Sequence, residues 1–460
     1  MKTMIKYIWS ALVAMNFMAC DSYLDLNPKD SIVDEDAFQS IEDVQDGMIG
    51  VYASLNGHTI VAVSSRASDD VRLSEQNRGQ GIAIHNWEFT ANVGEFYSMW
   101  RDMYHTIDRA NRMLEVAQRF DVEDARIRQV IGECYFMRAY CHFELMRGFA
   151  NNYDASDVLG VPYMLESTIG NPERISQADV YQYVKSDLQQ AIALMGDEFR
   201  SNNANKIAAN ALMARVALYQ KDYDAAIAFA SDVIDDSGMR LAELNEVADI
   251  WNDAFETEEK TEVIFKLSRV EGSPALGNIF NDPSNGELYF SPSNDLQNQY
   301  TSDDVRANIY FGVNTQNNPA IFKHDGKGVG PNIVDLKALR LSEMFLIRAE
   351  AHIMNNNLVG GAGDLNILRS KRLTMPVAAP DDNQETALAF LQEERRREMA
   401  YEGHRYIDLK RWGLGIKRLP EDSELASGIE LEAGDYRFVF PVPQNEMFAN
   451  DNMEQNKGYN

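Results

Sequence analysis

Apolar residues recur every three or four positions through much of this 460-residue chain, and that rhythm restricts it to a mainly α architecture. Phe96, Met99, Met103, Ile107, Ala110 and Leu114 make one such stripe, and Val130, Cys134, Met137, Cys141 and Leu145 make a second. A third runs through Val180, Val184, Leu188, Ala191 and Leu194, and a fourth through Phe38, Ile41, Val44, Met48 and Tyr52. Each predicts an amphipathic helix that must bury one face against a neighbour.

Two stretches predict antiparallel helix pairs. In residues 208–234, Ala211, Arg215, Leu218 and Tyr219 precede a short turn at Gln220, Lys221 and Asp222, and Tyr223, Ala226, Phe229, Ala230 and Val233 form the return stripe. Facing alanines let two helices approach closely while Tyr and Phe fill the gaps between layers, a pattern similar to a tetratricopeptide unit. Residues 339–369 read the same way, with Gly360 to Gly363 expected in the turn. Such units cannot bury their faces alone and must stack. Short strand-like runs occur at Val263 to Phe265 and Phe438 to Phe440. Two polar, Gly/Asn/Ser-rich segments, about 56–92 and 271–331, exceed the length of ordinary connections and are expected to be functional loops. The expected fold is thus a scaffold of tetratricopeptide-like helix pairs with long irregular loops and a few short strands.

Charge narrows the partners. Against 71 acidic residues stand 43 basic ones, a formal net charge of -28. That field repels phosphate polymers and lacks a clustered basic footprint, so no nucleic-acid partner is expected. At the N-terminus, Lys2 and Lys6 precede an apolar run from Tyr7 to Ala19, which is too short to span a bilayer and suits a signal peptide over 1–19. Ala19 followed by Cys20 resembles a lipoprotein cleavage site, which makes Cys20 the expected lipid attachment point and 20–33 a tether ahead of a single helical domain, 34–460. Cys134 and Cys141, seven residues apart on one helix, lie ~10.5 Å apart along its axis, beyond the ~7 Å limit for a disulfide.

Several ordered segments carry a family resemblance. Leu24-Asp25-Leu26-Asn27-Pro28 follows Cys20, and Met99-Trp100-Arg101-Asp102-Met103-Tyr104 runs into Ile107, Arg109, Ala110 and Asn111. Gly132-Glu133 continues to Phe136-Met137-Arg138-Ala139-Tyr140, with Val161-Pro162 later and Leu341-Ser342-Glu343 leading to Arg348-Ala349-Glu350-Ala351. Glu394 through Gly413, Phe440-Pro441-Val442-Pro443 and Gln455 through Tyr459 complete the set. Together they resemble the SusD/RagB nutrient-binding outer-membrane lipoproteins. The resemblance implies a tetratricopeptide-containing helical fold and a cell-surface, lipid-anchored location. It also implies partnership with a SusC-type TonB-dependent transporter and a mostly glycan ligand, with peptides in some members. A peptide-capturing lipoprotein or a structural adaptor of the transporter are the rival readings.

No catalytic constellation is expected. Glu402 and His404 stand two apart and do not share a helix face, and no second His follows at zinc-ligand spacing. The segment from Glu394 to Trp412 reads instead as a buried ion-pair network fixing a helix end, with Gly403 relaxing the backbone. Neither a cofactor motif nor a metal loop with correct spacing is present. A sugar site needs an aromatic plate with amides, a carboxylate or an arginine at its margin. The first loop offers Trp87 with Asn86, and upstream Asp70 and Arg72; the resemblance carries Trp87, Asp70 and Arg72 over as ligand residues. The second loop offers Tyr289 and Tyr300 among several amides. The alternative for Trp87 is packing of its own loop onto the scaffold.

Overall fold

A capping box opens the first helix: the Ser40 hydroxyl accepts from the Asp43 amide, and the Asp43 carboxylate accepts from the Ser40 amide at 2.8 Å. The computed structural model describes residues 37–459 apart from 157, 327 and 329, so Cys20, the signal peptide and the tether lie outside the described residues. From Ser40 onward the helices of eight residues or more are α1 (Ile41–Ser54), α2 (His58–Ala67), α3 (Gly94–Ala117), α4 (Ala125–Phe149) and α5 (Gln177–Leu194). α6 (Lys206–Tyr219), α7 (Tyr223–Ser231), α8 (Leu341–Met354), α9 (Leu358–Ser370), α10 (Gln384–Met399) and α11 (Arg405–Trp412) follow. Asn205, Asp222, Asn357 and Asn383 cap α6, α7, α9 and α10 with side-chain oxygens on backbone amides, so the pairs begin where the polar residues stop.

The predicted stripes face the core, with Phe38, Ile41, Tyr52, Leu194, Tyr223 and Phe229 half-buried at its edge. Phe96, Ile107 and Ala110 of α3 pack towards α4, whose Cys134, Met137, Cys141 and Leu145 are wholly buried. Both cysteines are free thiols. α6 and α7 form the first helix pair, with Ala211, Ala226 and Ala230 at zero exposure, and α8 and α9 form the second, stacked on the first through α7 and α8. In the second pair the turn is Asn355 to Asn357, while Gly360 to Gly363 sit inside α9 rather than in the turn. A Cβ on Gly361 would lie 3.0 Å from the Ala349 carbonyl, so this glycine serves close helix approach.

The interior of this body is ionic as well as apolar. Arg215 on α6 reaches across to Glu343 on α8 with two bonds of 2.8 and 2.5 Å. Arg138 on α4 holds Asp187 on α5 through two 2.7 Å bonds. Glu398 near the end of α10 accepts from Arg306, Arg340 and Arg372 at 2.8–3.0 Å, all four side chains being essentially inaccessible. Glu402 pairs with Arg340 and Lys323, and Asp408 with Arg395, so the segment from Glu394 to Trp412 is the ion-pair network expected of it. Gly403, at φ 86, makes the turn between α10 and α11.

The strands are short and join distant segments. β1 (Val71–Leu73) pairs antiparallel with β3 (Phe290–Pro292), and β2 (Val263–Leu267) with β6 (Leu336–Arg340). β4 (Phe311–Val313) and β5 (Pro319–Ile321) form a hairpin, and β7 (Ile416–Lys417) meets β8 (Glu430–Leu431). Two expectations are corrected. Phe438 to Phe440 is no strand, since Tyr436–Phe438 is a single 3₁₀ turn and Phe440 packs in the aromatic core. The segment 56–92 is not one long loop, because α2 runs through it with every residue from Thr59 to Ala67 buried; contact on all sides stabilises a helix that its β-branched and serine residues would not favour alone. No described helix is long and apolar enough to cross a membrane.

Candidate functional site

The ladder of β1 on β3 brings the two polar segments together, with Arg72 opposite Ser291. Beside it lies a polar cleft of about 260 Å³, walled by Arg72, Ser74, Glu75 and Gln76 on one side and by Ser291, Asn318 and Pro319 on another. Glu421, Asp422 and Glu424, from the stretch after β7, close the third wall. Asp422 is a structural member of that wall, accepting from the backbone amides of Asn294 and Asp295 at 2.7 and 3.1 Å. Across the mouth, Gln76 bonds Gln316 and accepts from the Leu288 amide at 2.8 Å, while Arg78 pairs with Glu287. The loops are therefore latched to each other by amides and one exposed ion pair.

Arg72 differs from its neighbours. Its Nε is buried without a hydrogen-bond partner, and among the described residues no carboxylate closes its guanidinium. A desolvated, unsatisfied donor of this kind is costly in isolation, and the side chain that carries it lines the cleft. With Gln76, Ser291, Asn318 and the carboxylates of Glu421 and Glu424 around it, the cleft presents donors and acceptors suited to a neutral polyhydroxyl ligand.

The other expected ligand residues take different places. Trp87 is 2% exposed, donates from its indole nitrogen to the Ala67 carbonyl at 2.7 Å, and carries the Arg418 guanidinium 4.2 Å above its ring. The stacking plate expected at Trp87 is thus corrected: its face is covered by Arg418 rather than open to a sugar. Arg418 in turn donates to the carbonyls of Ser68, His85 and Gly428, and burial lowers its pKa to about 9. Asn86 accepts from the amides of Ser427 and Gly428, pinning that loop. Asp70 is also interior: Arg396 donates to it at 2.8 Å, and burial raises its pKa despite that cation. Its neighbour Asp69 is held low, the guanidiniums of Arg396 and Arg405 outweighing burial. Tyr300 gives its hydroxyl to the Arg397 carbonyl at 2.7 Å and packs edge-on against Phe311. Tyr289 is half-buried next to β3 and does not line the cleft; its backbone carbonyl accepts from the Ser74 amide and the Asn77 side chain. Of the six, Arg72 alone lines the cleft.

Gln76, Asn318, Glu421 and Glu424 were not legible as site residues. They come from three separated segments, and among 71 acids no local signal marks Glu421 or Glu424. No group of three His, Cys, Asp or Glu side chains placed to hold a metal occurs among the described residues.

A rigid stack of helix pairs carrying a polar, loop-built cleft defines a helical-scaffold binding protein. Comparison with known proteins gives the family. Residues 22–218 match a family model described as "Starch-binding associating with outer membrane", and residues 284–459 match the SusD family. The chain is similar to SusD-like protein P2 of Formosa agariphila, 23% identical with 99% of this chain and 100% of that protein covered. Solved structures share the fold: a SusD superfamily protein from Bacteroides vulgatus has a TM-score of 0.80 at 26% identity, covering 92% of this chain and 100% of that one. A laminarin-binding SusD-like protein has a TM-score of 0.71 at 20% identity, covering 91% of this chain and 99% of that one. The chain belongs to the SusD/RagB family.

Proposed function

We propose that this protein captures neutral oligosaccharide outside the cell in the cleft beside Arg72 and hands it to a SusC-type TonB-dependent transporter in the outer membrane, without altering it. The observation that carries the reading is the unpartnered Arg72 guanidinium among the amides and hydroxyls of a cleft built by both long segments. Planar amides and a guanidinium match the paired hydroxyls of a sugar ring, and the cleft is open enough for release as well as capture. The starch-binding description of the family model and the laminarin-binding relative support a glycan as the ligand class. Acylation at Cys20 would hold the protein at the membrane surface. Isothermal titration against a panel of neutral oligosaccharides, including laminarin fragments, tests the proposal. Heat with at least one glycan and no released reducing sugar over hours is expected. Heat with peptides only, or steady release of sugar, would overturn it.

A further inference from the structure

A larger concavity, about 960 Å³, lies away from the Arg72 cleft, between α3, the segment 162–172 and the short helix Gln444–Ala449. Tyr97, Trp100 and Tyr104, spaced three and four along α3, form its floor. Trp100 is 4% exposed, packs edge-on against Phe149 and donates to Glu446 at 3.3 Å, so its ring has no free face for a sugar. What is free is aliphatic and aromatic rim. Leu165 and Ile169 alternate in sequence with the lining residues Met164, Glu166, Thr168 and Gly170, and are 51% and 106% exposed. Phe448, on the short helix that contributes Asn445, Glu446 and Ala449 to the lining, is 78% exposed.

The backbone presenting these side chains is fixed. The Tyr104 hydroxyl donates to the Pro162 carbonyl at 2.8 Å, Asn111 to the Met164 carbonyl at 3.0 Å, and Ser167 to Asp108 at 2.6 Å. Asn450 and Asn452 hold the carbonyls of Pro172 and Asn171 at 2.8 and 2.7 Å. Large apolar groups held outward on pinned backbone, beside a ready-made groove, lose little further freedom on binding and are features of a contact surface. The electrostatics choose the partner. Four carboxylates line the groove; Asp102 is paired with Arg101 at 2.7 Å and Asp108 with Arg112 at 2.9 Å, which leaves Glu166 and Glu446 with no cation partner among the described residues.

We infer that this groove docks a polypeptide segment of a partner protein that carries apolar side chains together with Lys or Arg. The inference stands apart from the sugar reading, because the two sites share no residue. Fluorescence anisotropy with labelled ten-residue peptides tests it. One set places two lysines among Leu, Ile and Phe, a matched set carries glutamates instead, and a third is wholly polar. The lysine set should bind at least ten-fold more tightly than either other. Ile169→Asp and Phe448→Asp, both at exposed positions, should each weaken it at least ten-fold with an unchanged thermal midpoint, while Arg72→Met has no effect. Glu166→Lys should reverse part of the charge preference. Binding indifferent to charge, binding insensitive to both rim substitutions, competition by neutral oligosaccharide, or no binding of the lysine set would each overturn the inference.

Discussion

The helix-pair body and the loop-built cleft use charge in opposite ways. In the body Arg306, Arg340 and Arg372 converge on Glu398, and Arg215 on Glu343, so each buried guanidinium is closed by a carboxylate. In the cleft no carboxylate among the described residues closes Arg72, whereas body arginines with an equally unbonded nitrogen, Arg369 and Arg411, are held by Glu394 and Glu350; Glu421 and Glu424 are solvated on the opposite wall. Neutralised charge inside a helical stack fixes register, because breaking one partner strands the others. Unneutralised charge at a loop junction costs stability and is retained where a ligand completes it. On the proposed function, the comparison separates residues that build this molecule from those assigned to its cargo.

Acid should break the body most completely. Burial holds the imidazoles of His142 and His324 at about 3, against 6.5 when unfolded. The unfolded chain therefore takes up those protons first, and stability is lost as pH falls from about 6.5 towards 3, at about 1.4 kcal/mol per pH unit for each group. Glu394, which burial would raise but which Arg306, Arg397 and Arg369 hold at about 2, adds a further loss below its ordinary 4.5. Thermal midpoints across pH 7 to 3 should fall continuously; a midpoint flat down to pH 4 would refute the assignment.

Next in size is Glu398→Ala, which leaves three buried guanidiniums without their common acceptor and should cost about 3–5 kcal/mol. Urea unfolding checks it, with the exposed Glu385→Ala as the comparison expected within about 0.5 kcal/mol of the parent. Trp87→Ala sharpens the boundary between the two regions. As a buried ring under Arg418 it should cost about 3–5 kcal/mol of stability. If Trp87 instead met ligand directly, its removal would spare stability and abolish binding.

Much of the body was legible because helical period is a local property. The stripes at Phe96, Val130 and Val180 and the pair around Ala211 are read from neighbours within one or two turns, and they are the buried faces. Where tertiary contact overrides local preference the reading failed: α2 is a helix of Thr, Val and Ser because it is enclosed, and Gly360 to Gly363 continue α9 because Asn357 had already capped it. The cleft was legible only through Arg72. Its other walls depend on β1 meeting β3 across more than two hundred residues and on the stretch after α11 folding back, and no periodicity encodes such encounters. Trp87 was a natural aromatic candidate, yet the decisive fact, Arg418 over its ring, lies some three hundred residues away.

The smallest structural perturbation carries the most direct test. Arg72→Met removes the one guanidinium of the cleft while keeping its stem, so the thermal midpoint should hold or rise slightly. Titration of parent and variant with the same binding oligosaccharide should show affinity reduced at least ten-fold, about 1.4 kcal/mol or more. Equal affinity in the two proteins, with both fully folded, would contradict the assignment of this cleft to the cargo.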